Sequence, residues 1–494
     1  MLAKEQRLNL VTAARSVLLS SWNGMEVRRL PDFLTRFLSS RIFLLSLALG
    51  FAQFFLFSFS PRAWTQRSCS IAKAKSSQLL RVYVADLPRE FHHGLLESYC
   101  RSQNCCSTGE YPTNPLLKQH SAEFWLLRDL LDSPSKKKEN FVRVWDSRLA
   151  DVVFVPFFAA LSAQIQLRGG HRGEFRKRSS KNSDFDRQRR VVELVTSSLE
   201  WRRSNGVDHV FVLAGKNETL LSLSLQAPVL LPDPMAMWHV REQISTAVFL
   251  VVDFGGWYLE DAKNKLNSST IIQHSQVSPI KDVIIPHTHL LPPLKIADDQ
   301  HRTVLLYFRG ARHRHRSGLV REKLWKILDN EPEVLLEEGL PDDAGLAEAT
   351  RGMRSSEFCL TPAGDTPSSC RLYDAIASLC IPVIVSDDIQ LPFEGFVNYE
   401  EFCVFVSARD ATQPGWLVQK LRSIGSEERS TMRQTLSRVQ RYFEYDNALT
   451  DGAVSLIWSK IHSKVPMIKE SIARFRRNRK SGSLPSAKRC HCVS

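Results

Sequence analysis

The chain contains no pair of Cys-x-x-Cys units and no convincing Asp-x-Asp motif, and its longest basic stretch carries no aromatic ladder. The first absence argues against a structural zinc site. The second speaks against a divalent-cation site. The third speaks against a surface for single-stranded nucleic acid, where bases need rings to stack on. Acidic residues are also in the minority: 52 Asp and Glu stand against 66 Lys and Arg, a formal net charge of +14. Such an excess suggests an anionic partner. It is concentrated in segments that look poorly folded, however, so no nucleic-acid partner is expected. With 43% hydrophobic and 24% charged residues, wholesale disorder is excluded. The length of 494 residues allows two sizeable cores. Ten cysteines are scattered: Cys69 alone, then Cys100, Cys105 and Cys106, then Cys359, Cys370, Cys380 and Cys403, and finally Cys490 and Cys492. An oxidising compartment would allow one or two disulfides, whose pairing the spacing does not give.

One long apolar run is present. Ile42 to Phe59 holds eighteen residues without a charge, at the lower limit for spanning about 30 Å of hydrocarbon. Arg28, Arg29, Arg36 and Arg41 precede it, which favours a cytoplasmic N-terminus. A cleaved signal peptide would begin nearer the N-terminus and end in small residues, unlike Phe57-Ser-Phe-Ser-Pro. A buried core helix fits poorly with a run that has no polar face. The expectation is an uncleaved signal anchor with a lumenal body, in line with glycosylation sequons at Asn217 and Asn267.

The rest of the chain alternates strand and helix patterns. Short, nearly continuous apolar runs begin at Leu80, Asp151, Val207 and Ala247, as for strands buried on both faces of a parallel sheet. Ser121 to Leu131 spaces Phe124, Leu127 and Leu131 as a helix does. Arg168 to Arg190 holds nine basic against three acidic residues and reads as a solvated insertion. After a proline-rich stretch, Pro286 to Pro293, a second series starts at Thr303-Val-Leu-Leu-Tyr-Phe308. It continues with a helix from Leu319 to Leu328, a strand at Phe358–Leu360, a helix from Arg371 to Leu379 and a strand at Ile381–Val385. Two α/β domains with parallel sheets follow, with a ligand cleft between them. The expected layout is a cytoplasmic tail (1–41), an anchor (42–59), a stem (60–79), an N-terminal α/β domain (80–295), a C-terminal α/β domain (296–465) and a fraying basic tail (466–494).

The chemistry concentrates in Phe358 to Val385. A strand delivers a loop with Gly364, Ser368 and Ser369 that opens into a helix, whose first N–H groups suit a pyrophosphate. Arg371 stands in its first turn, where a guanidinium can meet phosphate oxygens two at a time. Asp374, three residues on, shares its face and could accept from ribose hydroxyls; the alternative is an ion pair between the two. This segment resembles the signature of the exostosin-like glycosyltransferases, glycosyltransferase family 47. So do Arg81-Val-Tyr-Val-Ala-Asp-Leu-Pro88, Ala150-Asp-Val-Val-Phe-Val-Pro156, Asp208-His-Val210, Lys281-Asp-Val-Ile-Ile-Pro286 and Tyr307-Phe-Arg-Gly310, in the family's order. Asp365 to Arg371 and Ser386 to Glu394 look most like its plant branch of probable arabinosyltransferases.

The resemblance implies a GT-B fold of two Rossmann-like domains, a Golgi type II membrane protein, inverting chemistry and a nucleotide diphosphate sugar, usually UDP-linked. It also implies that Arg309 and Arg371 face the diphosphate and Asp374 the ribose. Transfer to a cell-wall polysaccharide is the expected activity, with arabinose a candidate sugar, and a catalytically silent scaffold is the alternative. The leaving diphosphate would be stabilised by cationic side chains, with no cofactor and no metal; Asp342-Asp343 and Asp387-Asp388 read as solvated or as helix caps. A general base must take the acceptor's proton, and Asp86, Asp151, Asp253 and Glu394 stay open for that role. His209 and His287 read as structural. Arg312, Arg314 and Arg316 extend a basic stretch that could draw in an anionic donor or an acidic polysaccharide. Assembly with itself or with other glycosyltransferases is also open.

Overall fold

A computed structural model describes residues 79–103, 110–132, 140–168, 174–214 apart from 176, 237–253 apart from 238, 278–299, 301–314, 318–339, 342–364, 366–446 and 451–480. The anchor segment 42–59 and both sequons lie outside these residues, and no described helix is long and apolar enough to cross a membrane.

Two parallel sheets form the body. The first joins β1 (Leu80–Val84), β2 (Phe141–Val144), β3 (Val152–Phe154), β4 (His209–Leu213), β5 (Val248–Val251) and β6 (Val283–Ile284) in the order β2-β1-β3-β4-β5-β6. The second joins β7 (Val304–Arg309), β8 (Val334–Glu337), β9 (Ser356–Pro362), β10 (Ile381–Val385) and β11 (Val404–Phe405) in the order β11-β10-β9-β7-β8. Every pairing is parallel. Each strand of β3, β4, β5 and β10 is buried at every position, because helices cover both faces of such sheets and leave no polar side. The two-domain α/β architecture of the sequence analysis is what the chain adopts.

The helices used below are α1 (His93–Gln103), α2 (Ala122–Leu131), α3 (Ala159–Arg168), α4 (Ser183–Ser197), α5 (Leu319–Leu328), α6 (Asp343–Arg354), α7 (Arg371–Ala377) and α8 (Ala453–Lys480). Local chemistry marks their starts. Asn182 accepts the Phe185 N–H at 3.0 Å ahead of α4, and Asp342 accepts the Gly345 N–H at 2.8 Å ahead of α6, satisfying donors that the helix itself leaves free. The second half of the basic stretch is therefore an ordered helix and not a solvated loop: Asp184 and Gln188 are fully buried within it.

The chain end also differs from expectation. No frayed tail begins at 466, since α8 runs unbroken to Lys480 through Pro466. Ile457, Trp458, Ile461, Val465 and Ile468 are buried at helical spacing. They bring α8 back across to the first sheet, where Trp458 meets the rings of Phe141 and Phe154 at 5.4 and 5.8 Å. Asn140 reinforces the contact by donating to Ser455 Oγ at 2.8 Å and Ser459 Oγ at 3.0 Å.

Candidate functional site

Strand order reverses once in each sheet, between β1 and β3 and between β7 and β9. Connections leave such a reversal on opposite faces, so a crevice opens outside the carboxyl ends of the two strands, and ligands of open parallel sheets bind there. At the second reversal, Arg309 and Gly310 leave β7, and Pro362 to Gly364 leave β9.

Arg371 opens α7 beside it. Its Nε donates to the Arg309 carbonyl at 2.8 Å, Nη1 lies 3.5 Å from Asp374 Oδ2, and 19% of its side chain is exposed. The guanidinium of Arg309 does not join it. Arg309 Nη1 donates to Glu337 Oε2 at 2.9 Å, Nη2 pairs with Glu348, and the Tyr307 hydroxyl donates to the same Glu337 oxygen at 2.7 Å. Gly339 makes room for this turn, as a Cβ there would stand 2.4 Å from Arg309 Nη2. Two side-by-side arginines at a diphosphate are thus not what the fold presents, because glutamates on β8 and α6 draw one of them aside.

Asp374 is 2% exposed. Its Oδ1 accepts the N–H groups of Leu290 at 2.7 Å and Leu291 at 3.3 Å, tying the linker after β6 to α7. The carboxylate faces that linker, and in its pair with the half-buried Arg371 it is the buried member. The loop before α7 is also engaged. Gly364 N–H donates to the Thr366 carbonyl at 2.9 Å, and Arg371 N–H meets Ser369 Oγ at 3.4 Å. Ser368 N–H donates to Asp253 Oδ2 at 2.7 Å, and Ser368 Oγ donates to the Val252 carbonyl at 3.3 Å. A carboxylate from the end of β5 therefore holds an N–H that the phosphate cradle was expected to offer.

The four carboxylates considered as base separate clearly. Asp151 precedes β3, at the amino edge of its sheet, away from the crevice. There it takes Arg81 Nε and Nη2 at 3.0 Å each and Lys469 Nζ at 2.9 Å. Burial alone would raise its pKa, but these cations overcome it and hold the group at about 2. Its role is structural. Asp253 joins the two sheets. Glu394 is exposed in the turn after β10, between Phe393 (φ 62°) and Gly395 (φ 82°), with its carbonyl accepting Lys460 Nζ at 2.7 Å. Asp86, exposed just past β1, stands at the carboxyl end of the first reversal.

Other residues at the two reversals were not singled out from sequence. Arg321, 5% exposed on α5, donates from Nε to the Ala363 carbonyl at 2.9 Å, from Nη2 to Pro362 at 3.3 Å and from Nη1 to Ala311 at 3.4 Å. One cation thereby braces the exits of β7 and β9; its position next to Val320 on the apolar face of α5 was the available signal. At the first reversal, His92 precedes α1 and His93 begins it. His92 Nε2 lies 3.2 Å from the Leu87 carbonyl, and the His93 ring meets Phe124 and Phe158 edge-on. Burial pushes both imidazoles below their ordinary value, so both are neutral near pH 7. Glu123, 1% exposed, caps α3 by accepting the N–H groups of Ala160 at 2.9 Å and Leu161 at 3.0 Å. Burial nevertheless drives its carboxyl up to about 8.

His209 is structural, its Nδ1 2.8 Å from Asp208 Oδ1 and its ring against Trp201. His287 is buried against His120 and Tyr373. Asp342 caps α6, and Asp387 accepts the Ala408 N–H at 2.8 Å. Among the described residues no group of three or more His, Cys, Asp or Glu is placed to hold a metal. Cys359 and Cys380 form a buried disulfide linking β9 to the end of the α7 turn, and Cys100 is disulfide-bonded as well.

Residues 76–421 match the Exostosin GT47 domain. Over 411 residues the chain is 36% identical to the probable arabinosyltransferase ARAD1 of Arabidopsis thaliana, covering 81% of each chain. Over 345 residues it is 25% identical to the probable beta-1,4-xylosyltransferase IRX10 of the same plant, covering 68% of this chain and 70% of that one. Among solved structures it is similar to AviGT4, a glycosyltransferase involved in avilamycin A biosynthesis, at 13% identity and a TM-score of 0.29 over 80% of this chain and 98% of that one. The chain belongs to the exostosin GT47 family and is a glycosyltransferase.

Proposed function

We propose that this enzyme transfers a sugar, with arabinose the first candidate, from a UDP-linked donor to a cell-wall polysaccharide with inversion, in the GT-B manner. The observation that carries this is the convergence of Arg371 and Arg321 on the carboxyl ends of β7 and β9. Charge gathers on the β-phosphate as the glycosidic bond breaks, and fixed guanidinium groups at the crevice stabilise it where it forms. No metal enters this account, and no cofactor beyond the donor. The second strand reversal takes the donor and the first takes the acceptor. There the base is Asp86 or His93, and the neutral, half-buried imidazole of His93 is the better matched to accept a hydroxyl proton near pH 7.

The same proposal places the body in the Golgi lumen behind a type II anchor at 42–59. The apolar run supports this, and so do the disulfides, which persist in oxidising compartments. Kinship with plant arabinosyl- and xylosyltransferases supports the acceptor class. The test is UDP release by the full chain in detergent, across a panel of UDP-sugars that includes the pentoses. His93→Gln should lower kcat about 10²–10⁴-fold and remove the acidic limb of the pH profile. A protein that neither binds UDP nor releases it from any donor would instead be a scaffold for a synthetic complex.

A further inference from the structure

A cavity of about 590 Å³ opens next to the first strand reversal, between the start of α1 and the start of α4. Its place is fixed by the Arg190–Glu90 ion pair at 2.6 Å and by Arg190 lying over the Phe91 ring at 5.1 Å, so that α4 meets the turn leaving β1. Four arginines line it against two carboxylates, Glu90 and Asp186. Two of the four are already balanced: Arg190 by Glu90, and Arg189 by Asp186 at 2.9 Å and Glu193 at 3.3 Å. Arg178 and Arg187 direct their hydrogen bonds to uncharged oxygens instead, although Arg187 also feels the attraction of the buried Asp184 and of Asp186. Arg178 Nη2 reaches the His239 carbonyl at 3.0 Å, while Arg187 reaches Ser162 Oγ at 2.7 Å, the Ser162 carbonyl at 3.3 Å and Ser183 Oγ at 3.2 Å. A guanidinium has five N–H donors, so each keeps donors for a ligand.

The wall behind them is rigid. Ser162 Oγ donates to the fully buried Asp184 at 2.6 Å, Gln188 donates to the same carboxylate at 2.7 Å, and Gln188 Oε1 accepts the His239 N–H at 3.1 Å. Arg187 is thus mounted on a closed polar network and not left to wave in solvent. Ser179, Ser180, Ser183 and Phe185 also line it, as do Gly94, Leu95 and Ser98 of α1. Hydroxyls, one ring and spare guanidinium donors in a cavity of this size make up the chemistry of a sugar subsite that also reads a carboxylate.

We propose that this cavity binds the acceptor and that the acceptor carries uronate groups, its carboxylates met by Arg178 and Arg187. The assignment rests on the transferase function proposed above, which puts the acceptor at the first reversal. The test is isothermal titration of the full chain in detergent with trigalacturonate, with its methyl ester and with inorganic polyphosphate, each beside a UDP titration. The acid should bind at least ~10-fold more tightly than the ester, and Arg178→Gln, at an exposed position, should erase that difference while UDP binding is unchanged. Equal affinity for acid and ester, an unchanged Arg178→Gln variant, or polyphosphate displacing the uronate at equal concentration would each overturn the assignment. Absence of UDP binding in the parent protein would overturn the transferase function on which it stands, and the two failures are read on separate titrations.

Discussion

Asp374 offers the sharpest test of how the α7 region is built. Replacing it with alanine removes the acceptor for two buried N–H groups, Leu290 and Leu291, and takes from Arg371 its neighbouring carboxylate. A buried donor left unmade costs about 1–3 kcal/mol, and the loss of a buried charge partner adds to it. The expected penalty is about 3–5 kcal/mol. Unfolding entropy near 2 cal/mol/K per residue, over a body of roughly 400 residues, turns about 4 kcal/mol into a fall of about 5 °C in Tm. Asp374→Asn keeps an oxygen toward Leu290 and gives up only the charge, so about 1–2 kcal/mol is expected. Differential scanning fluorimetry of both variants, alongside KM for the donor, separates a clamp from a ribose contact. If Asp374→Ala melts within about 1 °C of the parent while the donor KM rises tenfold, the clamp is refuted and the carboxylate belongs to the substrate.

Arg371→Ala should lower transfer about 10²–10³-fold in a UDP-release assay, with a folded protein by circular dichroism; unchanged turnover would remove it from the donor site. Breaking the Cys359–Cys380 bridge, which spans 21 residues, should cost about 3 kcal/mol in chemical denaturation, and the difference should vanish when the parent is reduced. Asp151 is held at about 2 in the folded chain, below the ordinary carboxylate value. A depressed acid stabilises the fold above its unfolded pKa. The contribution is therefore intact at pH 5, falls between about pH 4 and pH 2, and should be missing from the acid-unfolding curve of Asp151→Asn.

Much of the fold was legible because burial leaves a local trace. Val248–Val251 and Ile381–Val385 are apolar at every position since both faces of a parallel strand are covered, and that alone marks them as strands. β2 and β8 escaped notice because they are edge strands with mixed faces: Val142 and Leu335 are exposed, while the chain around them is polar. The basic residues of α8 read in sequence as a solvated tail. Its apolar stripe from Ile457 to Ile468 has meaning only against Phe141 and Phe154, three hundred residues earlier in the chain.

The orientation of the candidate residues was not legible, and the reason is physical. A motif names which residues a strand and a helix deliver; it does not say which charges surround them once the chain has closed. The family resemblance turns Arg309 toward the diphosphate, yet its guanidinium follows a glutamate 28 positions away. Ser368 was taken for a phosphate donor from its helix, yet its N–H follows a carboxylate 115 positions away. Asp374 was placed beside Arg371, and it is, but both of its stronger bonds run to a linker more than eighty residues upstream. Arg321, by contrast, carries no motif at all and still touches the exits of two strands, because its helix packs where the strand order reverses. In a parallel sheet that reversal is set by pairing between distant segments. Which arginine serves the crevice is therefore a property of the whole sheet, and it can be read from strand order when it cannot be read from spacing.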